Sequence, residues 1–152
     1  MSRLRVSTVV DAPPDVVWED LRDLGSHVEW MPDAVEIRFT SATIEGVGTT
    51  FDCETKVGPI RLTDRMEVTR WEPGLAIGIR HVGVVTGDGV IRLSPFRDHQ
   101  TKVTWTERLV FPWWMAGPVG AWVAVPVLTR VWRGSMRNLA GRFAEGRRVP
   151  QR

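Results

Sequence analysis

Residues 119–147 read VGAWVAVPVLTRVWRGSMRNLAGRFAEGR. Apolar residues recur in this stretch at steps of three or four, which predicts a helix with a single apolar stripe. Arg130, Arg133 and Arg137 fall on the opposite face, where their charges can stay in water. Pro126 either kinks this helix or marks its true start. The stripe consists of Ala121, Val125, Leu128, Trp132, Met136, Leu139 and Phe143.

Seven segments upstream of this helix alternate between apolar and polar residues, as half-buried strands do. Turn residues separate several of them, notably at Gly58-Pro59, Thr86–Gly89 and Arg97–His99. One amphipathic helix after a run of strands predicts an α+β fold, in which a seven-stranded antiparallel sheet curves around the C-terminal helix. The predicted strands cover residues 3–10, 35–40, 51–57, 60–69, 75–81, 91–93 and 102–111.

Two short helices are predicted between the first and second strands. Pro14 is tolerated in the first turn of a helix, where its missing N–H would be unpaired anyway. Gly25 is expected to end the first helix. The pattern Ser26-His-Val-Glu29 fits a capping box that starts the second helix, and Pro32 is expected to terminate it.

Composition restricts the possible functions. The 152 residues fit one globular domain over residues 1–152, and 43% are hydrophobic. A net charge of +2 is too small to indicate nucleic-acid binding, although the basic residues gather late in the chain. Only Glu145 offsets that late group, which comprises Arg130, Arg133, Arg137, Arg142, Arg147, Arg148 and Arg152.

Cofactor and compartment signals are absent from the sequence. The single cysteine, Cys53, excludes an internal disulfide, and the N-terminus lacks the apolar core of a signal peptide, so a cytoplasmic location is expected. His27, His81 and His99 are too scattered for a local metal signature. Because no phosphate loop or nucleophile motif occurs either, we expect no metal and no cofactor.

The stretch from Leu109 to Thr129 contains no charged residue, and its length raises the question of a membrane span. Five helix-breaking residues interrupt it. We therefore expect a strand end, a loop and a helix start instead of a span. The interruptions are Pro112, Gly117, Pro118, Gly120 and Pro126.

The order of these elements resembles the helix-grip domains of the START-like, polyketide cyclase-like or SRPBCC superfamily. The resemblance covers essentially the whole chain. It implies an apolar cavity between sheet and helix that binds a lipid, sterol or polyketide-like molecule, and some members also catalyse cyclisation, dehydration or hydrolysis. The residues that carry it are Val9-Val-Asp-Ala-Pro-Pro-Asp-Val-Val-Trp18, Trp30-Met-Pro32, Gly46-Val-Gly48, Trp71-Glu-Pro73, Thr101-Lys-Val-Thr-Trp105 and the Arg-rich terminal helix.

Asp64, His81 and Glu107 are polar residues on the strand parities assigned to the concave face of the sheet. A buried carboxylate prefers its neutral form, so Asp64 or Glu107 could act as an acid or base, share a proton with the other, and use His81 as a relay. Alternatively, the three residues form a hydrogen-bonded group that orients a ligand or cavity water, or they pair with arginines. A bulge could also turn any of them outward.

Aromatic and aliphatic residues on the same parities could line the pocket or simply fill the core. Cys53 has no base beside it in the sequence and is expected to be a small buried hydrophobe. The predicted ligand-binding residues are Phe51, Cys53, Asp64, Met66, Ile79, His81, Trp105, Glu107, Leu128, Trp132 and Met136.

Trp113 and Trp114 follow Pro112 just before the helix. They could form a lid, dip into a bilayer interface, or pack as an ordinary loop. Three functional hypotheses follow. The first is a carrier of a small hydrophobic ligand, and the second is a cyclase or dehydratase that uses Asp64, His81 and Glu107. The third is a peripheral membrane or interaction module that uses the two tryptophans and the arginines of the helix, with weak contact to an anionic membrane surface.

Overall fold

A seven-stranded antiparallel sheet curves around a long C-terminal helix in the computed structural model, which describes residues 2–115 and 117–144. The predicted fold is confirmed. The strand order is β1-β7-β6-β5-β4-β3-β2, so the first and last strands are neighbours. The elements are β1 Ser2–Val10, α1 Pro14–Leu21, a 3-10 helix Leu24–Glu29, β2 Ala34–Phe39, β3 Thr50–Val57, β4 Ile60–Glu72, β5 Ala76–Val82, β6 Thr86–Phe96, β7 Gln100–Val110, a 3-10 turn Trp113–Met115 and α2 Gly117–Arg142.

The alternation of apolar and polar residues determines which face of each strand is buried. In β7, Val103, Trp105, Glu107 and Leu109 are buried, whereas the residues between them are partly or fully exposed. Register shifts interrupt the β2–β3 and β4–β5 ladders. Neither shift turns the predicted polar residues outward, so the concave face keeps the parity that the sequence indicated.

The chain between β1 and β2 differs from the prediction. Helix α1 ends at Leu21 and not at Gly25, and the 3-10 helix already begins at Leu24. The Ser26 hydroxyl donates to the Asp23 carbonyl at 2.7 Å, so it does not form the predicted capping box. The cause is tertiary: the buried His27 ring donates from Nε2 to the Leu21 carbonyl at 2.8 Å and ties the two helices together.

The predicted turn at Thr86–Gly89 is wrong, because these residues begin β6 and the bend lies at residues 83–85. Gly87 has φ +140, and a Cβ there would collide with the carbonyl oxygen of Arg108 on β7. Glycine is therefore required at position 87 for the close approach of two strands and not for a reversal of the chain.

Helix α2 runs through Pro126 and ends at Arg142, earlier than the predicted end at 147. Residues 145–147 of the predicted helix lie outside the described part of the chain. Its C-terminal half is buried against the sheet through Trp132, Met136, Leu139 and Phe143. Arg142 holds this half in place by donating hydrogen bonds to Asp20 and Glu29.

The uncharged segment at 109–129 divides into strand end, turn and helix start as predicted. Within the described ranges, no helix has the length and apolarity to cross a bilayer.

Candidate ligand-binding cavity

A cavity of about 580 Å³ lies between α2 and the concave face of the sheet. Most of its wall is apolar and comes from β3 to β7 and the N-terminal half of α2. Ten of the predicted ligand-binding residues line it: Phe51, Cys53, Asp64, Met66, Ile79, His81, Trp105, Glu107, Leu128 and Trp132.

Met136 is the exception among the predicted residues. It is 1% exposed, sits in the core, and borders a separate groove beside Arg5 and Arg133. Met136 lies one turn beyond Trp132, where α2 already packs on the core with no space left beneath it.

His81 is held between two carboxylates in the wall of the cavity. Its Nδ1 donates to Asp64 Oδ2 at 2.8 Å, and its Nε2 donates to Glu107 Oε2 at 2.8 Å. The second oxygen of Glu107 accepts a hydrogen bond from Trp105 Nε1 at 2.9 Å. The side chains of Glu107 and Asp64 are 1% and 13% exposed, so the group is almost entirely removed from water. The structure thus brings together the three residues that the sequence placed on one face.

Glycines in β6 make the contact between His81 and Glu107 possible. His81 is on β5 and Glu107 on β7, and the register pairs them with Gly87 and Gly89 of the intervening strand. A Cβ at Gly89 would lie 2.5 Å from Glu107 Oε1 and 2.6 Å from its Cδ. Glu107 therefore reaches His81 by passing over a strand that carries no side chain at that point.

The protonation state of His81 follows from two opposing effects. Desolvation by burial lowers the pKa of the imidazole, but the hydrogen bonds to Asp64 and Glu107 and the negative charges of these carboxylates outweigh it and raise the pKa to about 10. His81 is therefore an imidazolium at neutral pH, with both N–H groups engaged. In place of the predicted proton shared directly between two carboxylates, a cation lies between them.

Asp33 is a further polar residue of the cavity wall. Its Oδ2 accepts a hydrogen bond from Trp132 Nε1 at 3.3 Å, and the Trp132 ring stacks on Trp105 with centroids 4.5 Å apart. Desolvation raises the pKa of Asp33, more than the hydrogen bond from Trp132 lowers it. The sequence analysis missed Asp33 because it lies in a loop, where no alternation indicates which side chains face inward.

Cys53 and His27 also line the cavity. Burial raises the pKa of the Cys53 thiol to about 11, so it stays protonated and unreactive, which agrees with its interpretation as a small buried side chain. Desolvation lowers the pKa of His27, whose ring is held by a backbone carbonyl. Within residues 2–115 and 117–144, no group of His, Cys, Asp or Glu is arranged to hold a metal ion.

Exposed aromatic side chains lie just before α2 and in its first turns. These turns line the cavity through Val123 and Val127, and the β3–β4 hairpin at 57–60 lines it as well. Trp113, Trp114 and Trp122 are 85%, 62% and 83% exposed. The first two are thus not packed on the domain as an ordinary loop would be. Trp122 escaped the sequence analysis because it falls on the outward face of α2, away from the apolar stripe.

The sequence matches, over residues 1–145, the family described as polyketide cyclase / dehydrase and lipid transport. The chain belongs to this family. The match confirms the polyketide cyclase-like resemblance that the order of elements indicated. A comparison with curated proteins finds no match.

Solved structures with a similar fold superpose on nearly the whole chain. The Zhui aromatase/cyclase from a Streptomyces species has a TM-score of 0.77 at 19% identity, covering 97% of this chain and 96% of its own. A START superfamily protein from Mycobacterium smegmatis has a TM-score of 0.77 at 10% identity, covering 93% of this chain and 96% of its own. A protein from Thermus thermophilus has a TM-score of 0.78 at 14% identity, covering 93% of this chain and 97% of its own. At these identities the likeness establishes the fold alone.

Proposed function

We propose that this member of the polyketide cyclase / dehydrase and lipid transport family binds a small hydrophobic molecule in the cavity between α2 and the sheet. The observation that carries the proposal is a cavity of about 580 Å³ whose wall is mostly apolar and includes a few polar groups. Ligand sites typically enclose about 300–1,000 Å³ with this division of apolar and polar lining. The family description, which includes lipid transport, agrees with such a role.

The geometry around His81 favours binding over acid–base catalysis. Both ring nitrogens already donate to carboxylates, and a pKa of about 10 is far from the range in which a group both gives and takes protons at neutral pH. Asp64 and Glu107 each use one oxygen on this cation. The three residues therefore act as a fixed polar wall, in keeping with a carrier, whereas a cyclase or dehydratase would require one of them to be released.

Blocking the cavity should abolish binding of an apolar probe. Nile red is uncharged and becomes fluorescent in apolar surroundings, so a titration should show one saturable site. Ala124→Trp places an indole in the part of the cavity that Ala124 lines, and we expect the Kd to rise at least about tenfold. Ala144→Trp adds the same group at an exposed position near the other end of α2 and should leave the Kd unchanged. Absence of saturable binding to the unmodified protein would refute the carrier proposal.

A second function is favoured by the exposed tryptophans: reversible contact with an anionic membrane surface. Indole rings prefer the bilayer interface. Exposed cations occur on another element that lines the cavity, since Lys56 and Arg61 pair across the β3–β4 hairpin and both are exposed. Two of the helix arginines, Arg133 and Arg137, border a different groove together with Arg5. Contact through this surface would bring the cavity next to lipid.

Removing the indoles should weaken vesicle binding. The triple change Trp113→Ala, Trp114→Ala, Trp122→Ala should reduce co-flotation with phosphatidylserine-containing vesicles to near background. Binding of the unmodified protein should also fall as salt is raised, since each cation near such a surface contributes about 1 kcal/mol. Phe96→Ala removes an exposed aromatic group elsewhere and should have no effect. Equal flotation of the triple variant would rule out this surface.

A further inference from the structure

The ionisable groups of the cavity wall are mostly carboxylates. Among the described residues that line it are three carboxylates, from Asp33, Asp64 and Glu107, and the imidazoles of His27 and His81. None of these described lining residues is a lysine or an arginine. Burial lowers the pKa of His27 below its ordinary value of 6.5, so His27 is neutral and His81 is the sole cation of the described wall. A ligand anion would thus find no free positive partner among these residues.

The polar side chains of the wall also leave hydrogen-bond acceptors without partners, while their N–H donors are already used. The N–H groups of His81, Trp105 and Trp132 are all used on the carboxylates. Two acceptors remain: Asp33 Oδ1 and Asp64 Oδ1 are buried and have no hydrogen-bond partner among the residues that the structure describes. A buried acceptor without a partner is unfavourable, and a ligand that supplies a donor relieves this.

We infer that the cavity selects an apolar ligand whose head group is an uncharged hydrogen-bond donor, such as a phenol or alcohol hydroxyl, and that it rejects carboxylates such as fatty acids. This inference rests on the proposed function and specifies its ligand class. A hydroxyl donates one hydrogen bond, and either unpaired aspartate oxygen is a potential acceptor for it.

Charged head groups fit this wall less well. A carboxylate would be buried against like charges and would meet acceptors only. The carboxylates of the wall would attract an ammonium, but this group carries three N–H donors and loses its hydration on entering, whereas the wall offers only two unpaired oxygens in otherwise apolar surroundings. A neutral donor fits this wall without the desolvation of a charge.

A matched set of bicyclic competitors tests the inference. Naphthalene, 2-naphthol and 2-naphthoic acid share one ring system and differ in having no polar group, a hydroxyl or a carboxylate. Each is titrated against protein-bound Nile red at pH 7.5, where the hydroxyl is neutral and the carboxylic acid is ionised. We expect 2-naphthol to displace the probe at a concentration at least about tenfold lower than either of the others.

The outcomes separate this inference from the carrier proposal. If 2-naphthoic acid competes as well as 2-naphthol, or naphthalene does, the head-group selectivity is refuted while the apolar site stands. If Nile red does not bind at all, the carrier proposal fails, and the inference fails with it.

Substitution of the two aspartates tests whether their unpaired oxygens cause the head-group selectivity. Asp64→Asn and Asp33→Asn each remove a negative charge and add an N–H donor, so each should reduce the preference for 2-naphthol over 2-naphthoic acid several-fold. The two variants are independent, so one suffices if the other fails to fold. Asp88→Asn changes a 69% exposed carboxylate on β6 and should leave the preference unchanged. An undiminished preference in both folded cavity variants would overturn the assignment of these oxygens.

Discussion

The variant His81→Gln should lower the free energy of unfolding by about 3–5 kcal/mol at pH 7. The substitution leaves the carboxylates of Asp64 and Glu107 buried without a cation, and removing one partner of a buried ion pair costs this much. Chemical denaturation followed by tryptophan fluorescence measures the loss. The triple variant Asp64→Asn, His81→Gln, Glu107→Gln removes all three charges together and should recover most of the stability, because no charge is then left unpaired.

The pH dependence identifies His81 as the source of this stabilisation. Its pKa in the folded protein is about 10, above the ordinary value of 6.5, so folding is favoured by proton uptake. The contribution is therefore fully present below about pH 6.5 and is lost as the pH rises through about 10. The stability difference between the unmodified protein and His81→Gln should shrink across this window. A difference that stays constant from pH 6.5 to 10 would contradict the imidazolium assignment.

The sequence predicted which polar residues face inward, but not how they meet. Strand parity is a local property, so alternation alone placed Asp64, His81 and Glu107 on one face. Their contacts depend on register between strands that are distant in the chain, which no local pattern specifies. Thr86-Gly-Asp-Gly89 was interpreted as a turn because glycine and aspartate are typical of turns. In the structure, the same glycines allow close packing inside a strand.

The residues that the sequence analysis missed lie where periodicity carries no information. Asp33 belongs to a loop, and loops have no repeating face. Trp122 lies on the side of α2 opposite the apolar stripe, and a search for the core passes over an apolar residue there. Met136, in contrast, was predicted to line the cavity because it lies on the apolar stripe, yet the stripe does not indicate where along the helix the packed core ends and the cavity begins. That boundary depends on how far the sheet curves away from α2.

Gly89→Ala should be among the most damaging single-methyl additions in the described part of the chain. The added Cβ would lie 2.5 to 2.9 Å from three atoms of the Glu107 carboxylate, which hydrogen bonds to His81 and Trp105 fix in place. The carboxylate must then move, and both bonds are lost inside the protein. We expect the free energy of unfolding to fall by about 3 kcal/mol, as for breaking a buried pair. The loss of stability between pH 6.5 and 10 should also diminish, since His81 keeps only Asp64.

Gly141→Ala provides the matched control. Position 141 is in α2, with no atom within 4 Å of an added Cβ, so the same substitution should stabilise the helix by about 0.5–1 kcal/mol. The contrast separates a general effect of replacing glycine from the specific crossing of β6 by Glu107. If Gly89→Ala kept both the stability and the pH profile of the unmodified protein, Glu107 would have to reach His81 by a path that does not cross residue 89. The glycine would then have no part in assembling the polar wall of the cavity.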